Sequence, residues 1–164
     1  MEAGTGEAWL ITFQKKLREL LPNHVISHAP QGPYFKEEFY KNGAYITVNK
    51  QVGSTIDFYN VQFYNQGDTK YDTYEGLFLN SGGYFTGTVV KEIIKRGVPG
   101  KKPVVGKPVT PSDATNSGWM DLSVLGEAST RAYNEMQWYA GVMFWQYPSD
   151  LTGDGIRKAA GHLK

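Results

Sequence analysis

Four short β-prone runs, each separated from the next by helix-forming sequence, leave this chain few folds to choose from. They are residues 24–29 (HVISHA), 56–65 (IDFYNVQFYN), 102–106 (KPVVG) and 140–146 (AGVMFWQ). Runs of this kind bounded by Gly and Pro read as strands, and strands alternating with helices imply βαβ units and a parallel sheet. The most regular helical stretch is 7–21, with Trp9, Ile11, Phe13, Leu17 and Leu20 at helical spacing, Thr5 as expected N-cap and Pro22 as stop. Residues 87–96 (GTVVKEIIKR) read as a helix closed by Gly97, 122–139 as a helix despite Gly126, and 155–163 as a last short one. Residues 34–53 read as a loop with a short helical turn and a β-prone stretch at 45–48, and 73–79 as a further turn. Residues 108–121 read as a long loop rich in Pro, Ser, Thr, Asn and Gly. The expectation is an α/β chain with four parallel strands. No linker divides it, so a single domain over 1–164 is expected.

Side chains alternate along a strand. In the run 59–65, Tyr59, Val61 and Phe63 share an apolar face that suits covering helices. Asn60, Gln62 and Tyr64 share the other, polar face. Tyr64 and Trp145 each fall at the C-terminal end of a strand, where parallel α/β sheets bind ligands. The competing reading is a packed barrel interior, in which Gln and Tyr bond to each other or to buried water.

Several function classes are set aside. Seventeen basic residues against 16 acidic ones give a net charge of +1, without the clustered basic excess of a nucleic-acid binder. The chain has no cysteine, hence no disulfide or thiol chemistry. No apolar run is long enough to span a membrane. Residues 1–7 lack the basic and apolar regions of a signal peptide, which leaves localisation open, cytoplasmic or non-classically secreted. Residues 100–108 (GKKPVVGKP) fail as a phosphate loop, because the spacing is one residue too long and Pro108 replaces the Ser or Thr. The run beginning at Asp150 fails as a calcium loop, having Gly161 at its twelfth position. His24, His28 and His162 lack metal-ligand spacing. No metal or cofactor is expected.

The runs HVISHAP, IDFYNVQFYN, KPVVGKP and GVMFWQYPSD, in this order, resemble strands five to eight of glycoside hydrolase family 18. The wording HAPQGPYF and VGSTIDFYNVQFYNQG is most similar to fungal members, and the helix at 7–21 looks like the one that follows strand four. The resemblance implies the C-terminal half of a (β/α)8 TIM barrel. A complete barrel needs about 250 residues; this chain has 164. The family cleaves β-1,4-linked N-acetylglucosamine polymers with retention, by a substrate-assisted mechanism in which the N-acetyl oxygen attacks the anomeric carbon. Its acids lie on strand four as Asp-x-x-Asp-x-Asp-x-Glu, a motif absent from these residues.

By the same resemblance, Tyr64 would hydrogen-bond the N-acetyl group of the central sugar, Gln62 and Asn65 would contact that sugar, and Trp145 would form the floor beneath it. Gln31 is a further candidate. His28 could lie near the sugar, although a satisfied strand-end histidine is the simpler reading. No catalytic residue is expected: a general acid must lie within hydrogen-bond reach of the leaving oxygen. Glu37, Glu38, Glu92 and Glu135 fall on helix faces, and Asp57 falls at the wrong end of its strand.

The expected function is therefore lectin-like binding of chito-oligosaccharides or other N-acetylglucosamine-containing glycans. The alternative is a family 18 hydrolase that is active only when another chain supplies strands one to four. A four-stranded half-barrel has an open inner face and unpaired edges, which closure would abolish. A homodimer completing an eight-stranded core is expected, with neither nucleic acid nor membrane as partner.

Overall fold

The computed structural model describes residues 6–160. Thr5, His162 and the end expected for the last helix lie outside them. Four parallel strands form one sheet in the order β1 (Ser27–His28), β2 (Phe58–Gln62), β3 (Pro103–Pro108), β4 (Val142–Trp145). Sequence order equals sheet order, as right-handed βαβ crossovers produce in a barrel. Helix α1 (Gly6–Leu20) precedes β1, and α2 (Ala44–Val52) joins β1 to β2. A single π-turn (Glu75–Leu79) and α3 (Val90–Lys95) join β2 to β3. Helix α4 (Leu122–Met136) joins β3 to β4, and α5 (Asp154–Ala160) follows β4. The architecture is that of a partial TIM barrel.

Helix α2 departs most from the sequence reading, which placed a loop and a β-prone stretch there. Its Tyr45, Ile46, Val48 and Val52 are all buried. Tertiary burial of this apolar stripe overrides the weak helix propensity of Ile, Thr and Val. Helix α3 starts three residues later than expected, at Val90. Its end holds as read, since Gly97 has φ +92 and its N–H donates to the Ile94 carbonyl at 2.9 Å. Helix α4 stops at Met136 because Gln137 takes φ +55. That releases Trp138, which is fully buried and donates Nε1–H to the Pro103 carbonyl at 2.9 Å. The indole thereby pins the end of α4 to the start of β3.

The two faces of the sheet differ as the alternation requires. Tyr59, Val61 and Phe63 are wholly buried under the helices, whereas Phe58, Asn60 and Gln62 are half-buried on the inner face. Strand β3, between two neighbours, is buried along its whole length. His28 points away from the inner face. Its ring nitrogens lie 3.2 Å from the Tyr45 hydroxyl and 3.1 Å from Gln14 Oε1, so it ties β1 to α1 and α2.

Candidate functional site

At the C-terminal ends of the strands lies a cleft of about 400 Å³. Gln62, Tyr64, Asn65 and Trp145 line it together. Gln31 stands apart from this group: its backbone forms a β-bridge with Gln62, but its side chain does not line the cleft.

Each side chain is placed by backbone that the sequence dictates. The Gln62 N–H donates to the Pro30 carbonyl at 2.8 Å, and its Nε2 donates to the Ala29 carbonyl at 2.7 Å. One amide N–H is thereby committed, which leaves Oε1 as the acceptor and the second N–H as a donor. Asn65 holds φ +61, a left-handed conformation that Asn tolerates better than most residues. Its Oδ1 accepts from the Thr115 N–H at 2.7 Å and the Asn116 N–H at 3.3 Å. Its carbonyl oxygen therefore fastens the loop after β3, and only its amide nitrogen remains for a ligand.

Tyr64 is 5% exposed, and its hydroxyl makes no hydrogen bond among the described residues. Burial pushes its pKa up, so at neutral pH it is a phenol able to donate and accept. Trp145 ends β4 and is 49% exposed. Its carbonyl accepts the Val109 N–H at 2.7 Å, and the Trp145–Gln146 peptide is cis. Met143 fills the space beside it. A Cβ on Gly106 would stand 2.7 Å from Met143 Cε, so the glycine in β3 makes room for the methionine. A half-exposed indole next to a methionine gives an apolar platform edged by amide and hydroxyl groups. That combination can take a small ligand with one apolar face and a polar edge.

The sequence reading missed Asp113 and Thr115, both on the loop after β3 and both lining the cleft. The available signal was position: a polar loop at a strand's C-terminal end is where parallel α/β sheets build sites. Asp113 is the one carboxylate lining the cleft among the described residues. Its Oδ2 accepts from the Thr110 N–H at 2.9 Å and hydroxyl at 2.7 Å. Its Oδ1 accepts from Ser149 Oγ at 2.8 Å and Gln146 Nε2 at 3.3 Å. Burial raises its pKa, but the donors from Thr110, Ser149 and Gln146 outweigh it and hold the carboxyl below the usual range. Asp113 is thus ionised, with both oxygens engaged. It has no proton to give at neutral pH, which is the opposite of a general acid.

The other acids serve the scaffold. Asp57 pairs with Arg18 at 2.7 Å and accepts the Ile26 N–H at 2.7 Å. Glu135 accepts the Tyr74 hydroxyl at 2.8 Å, and Glu37 pairs with Lys50 at 2.8 Å. Asp150 accepts the N–H groups of Gly155 and Ile156 at the start of α5. Among the described residues, no three His, Asp or Glu side chains are arranged to hold a metal ion.

No protein-family model matches this chain, and no curated protein does either. Solved structures do match it. A glycoside hydrolase family 18 chitinase from Pseudoalteromonas aurantia is 30% identical with a TM-score of 0.74, over 96% of this chain and 54% of that one. A fungal endo-β-N-acetylglucosaminidase of family 18 is 22% identical with a TM-score of 0.65, over 94% of this chain and 49% of that one. A xylanase and α-amylase inhibitor protein from Scadoxus multiflorus is 18% identical with a TM-score of 0.60, over 94% of this chain and 52% of that one. The last two likenesses establish a shared fold alone. This chain spans about half the length of each of these structures.

Proposed function

Taking the chain as a half-barrel of the glycoside hydrolase family 18 type, we propose that it binds N-acetylglucosamine-containing glycans without cleaving them. The observation that carries this reading is the gathering of Trp145, Tyr64 and the Gln62 amide around one cleft. Trp145 supplies the surface against which a pyranose ring stacks. The Tyr64 phenol and the Asn65 amide nitrogen donate to the acetamido carbonyl, and Gln62 Oε1 accepts from a hydroxyl or the acetamido N–H. Asp113, ionised and bound on both oxygens, supports a site that holds sugar and does not protonate it.

The experiment is calorimetry with chito-oligosaccharides, run beside a turnover assay on a fluorogenic chito-oligosaccharide. Binding without product release is expected. Turnover that survives purification would replace this reading with the second one: a family 18 hydrolase completed by strands one to four of another chain. The 30% identity to a chitinase is what favours that alternative.

The same proposal includes a homodimer. Strands β1 and β4 are the sheet edges. Beside β4, the side chains of Phe144, Tyr147, Leu151 and Ile156 line an open hollow of about 370 Å³. On α1, Trp9 and Phe13 are exposed and lie 6.3 Å apart, ring centre to ring centre. Two copies related by a twofold axis would set each β4 edge against the other's β1 edge and cover both apolar surfaces.

A further inference from the structure

We propose that Lys107 is a positioning residue for the cleft: its Nζ draws three backbone carbonyls together and so sets where Tyr64 stands. The inference rests on the glycan-binding reading above. Lys107 lies in β3 and is fully buried. Its Nζ donates to the carbonyls of Phe63 at 3.0 Å, Tyr71 at 2.6 Å and Gly118 at 2.8 Å. A lysine ammonium has three protons and no acceptor, so every donor is used. None is left for a ligand, and the residue acts only through the backbone it holds.

The three carbonyls come from three separate segments: the exit of β2, the loop beyond it, and the loop after β3. Left-handed backbone concentrates at this junction, with φ +54 at Tyr71, +96 at Gly118 and +61 at Asn65. At Tyr71, a bulky residue, such a conformation persists only where surrounding structure enforces it. Three carbonyl oxygens converging in a dry interior repel one another, and N–H donors placed among them turn that repulsion into attraction. Tyr64 is caught between two of the three anchors. Phe63 precedes it in the chain, and the Gly118 backbone lies against its Cα. Its hydroxyl has no hydrogen-bond partner among the described residues, so the ring is held by packing and by the backbone on either side of it. The titratable group acting on Lys107 is the Asp72 carboxylate, which acts to hold the proton; the Tyr71 phenol is bonded to Thr88 instead.

Two substitutions and one titration test the proposal. Lys107→Met keeps the stem and removes the ammonium. Val105→Ala removes apolar volume from the same strand without touching the three carbonyls. With chitotriose as the probe, calorimetry is expected to show a loss of about tenfold or more in affinity for K107M, at a temperature where circular dichroism finds it folded. V105A is expected to stay within about twofold of the parent. A folded K107M that also binds within about twofold overturns the proposal. Where K107M does not fold, the parent decides the matter by nitrogen-15 NMR from about pH 6 to about pH 9. The Lys107 Nζ and the backbone amides of Tyr64 and Gly118 are expected to move with one midpoint. A titrating Lys107 beside stationary Tyr64 and Gly118 amides overturns the proposal. The NMR arm needs no ligand, so failure of the parent to bind chitotriose sinks the glycan reading while the titration still decides the role of Lys107.

Discussion

The backbone of Gly118 lies so close to that of Tyr64 that a Cβ at position 118 would stand 2.4 Å from the Tyr64 Cα. Backbone cannot yield as a flexible side chain does, and φ +96 is itself unfavourable for any residue with a Cβ. Gly118→Ala is expected to cost about 1–3 kcal/mol of stability, read as a lower urea midpoint, and to weaken chito-oligosaccharide binding in the fraction that folds. An unchanged midpoint would mean that the loop after β3 moves freely relative to β2.

Trp145 gives the opposite pattern. It is half exposed and contributes little to the core. Trp145→Ala is therefore expected to change stability by less than about 1 kcal/mol. Affinity for chitotriose should fall about tenfold, equivalent to about 1.4 kcal/mol. If calorimetry finds binding unaltered, the indole is not part of the site.

Lys107 makes stability depend on pH with a definite sign. Burial pushes its pKa from an ordinary 10.5 down to about 7. Between those values the unfolded chain holds a proton that the folded chain has released. Stability therefore rises with pH across that window, by at most about 1.4 kcal/mol per pH unit. Below the folded value both states are protonated, and the dependence vanishes. Urea unfolding of the parent and of K107M at several pH values isolates the effect. The parent should gain on the variant as pH climbs from about 7 toward about 10. A constant difference would mean that Lys107 keeps its proton throughout.

The core offers a plainer test. Phe63 is fully buried, its ring 5.3 Å from that of Tyr71. Phe63→Ala should cost about 3–5 kcal/mol, enough to unfold a marginal domain. Far-ultraviolet circular dichroism with thermal melting would register it. A melting point within a few degrees of the parent would show that the β2 exit repacks.

Self-association is checked by light scattering at low micromolar concentration, where the mass of two chains is expected. Ile156 is exposed beside Phe144 and Leu151 at the β4 edge. Ile156→Lys should therefore give monomers without unfolding them. A parent that is already monomeric removes the dimer from the proposal.

The strand runs were legible because 102–106 and 140–146 are short, mostly apolar and fenced by Gly and Pro, although only the first is buried along its length and the second is a half-buried edge. Alternation through 59–63 placed Gln62 on the open face and Tyr59, Val61 and Phe63 under the helices. Helix α2 was not legible, because Tyr45, Ile46 and Val48 favour strands locally and only their burial makes them helical. Of the cleft, Tyr64 and Trp145 could be located from strand ends. Asp113 could not, since a carboxylate in a polar loop reads as solvated until its four donors are seen. Lys107 was hidden for a related reason: just past the run 102–106, a lone lysine gives no hint that three distant carbonyls wait for it.

Strand β1 is only Ser27–His28, and one side of it already pairs with β2. Its outer side therefore presents a seam two residues long. A second copy closing the sheet there, as proposed, would gain little from a hydrogen-bonded ladder and would be held mainly by side chains such as the exposed Trp9 and Phe13 of α1. A closure of that kind behaves like a clasp. It would open under dilution or at high pressure well before the strands themselves come apart.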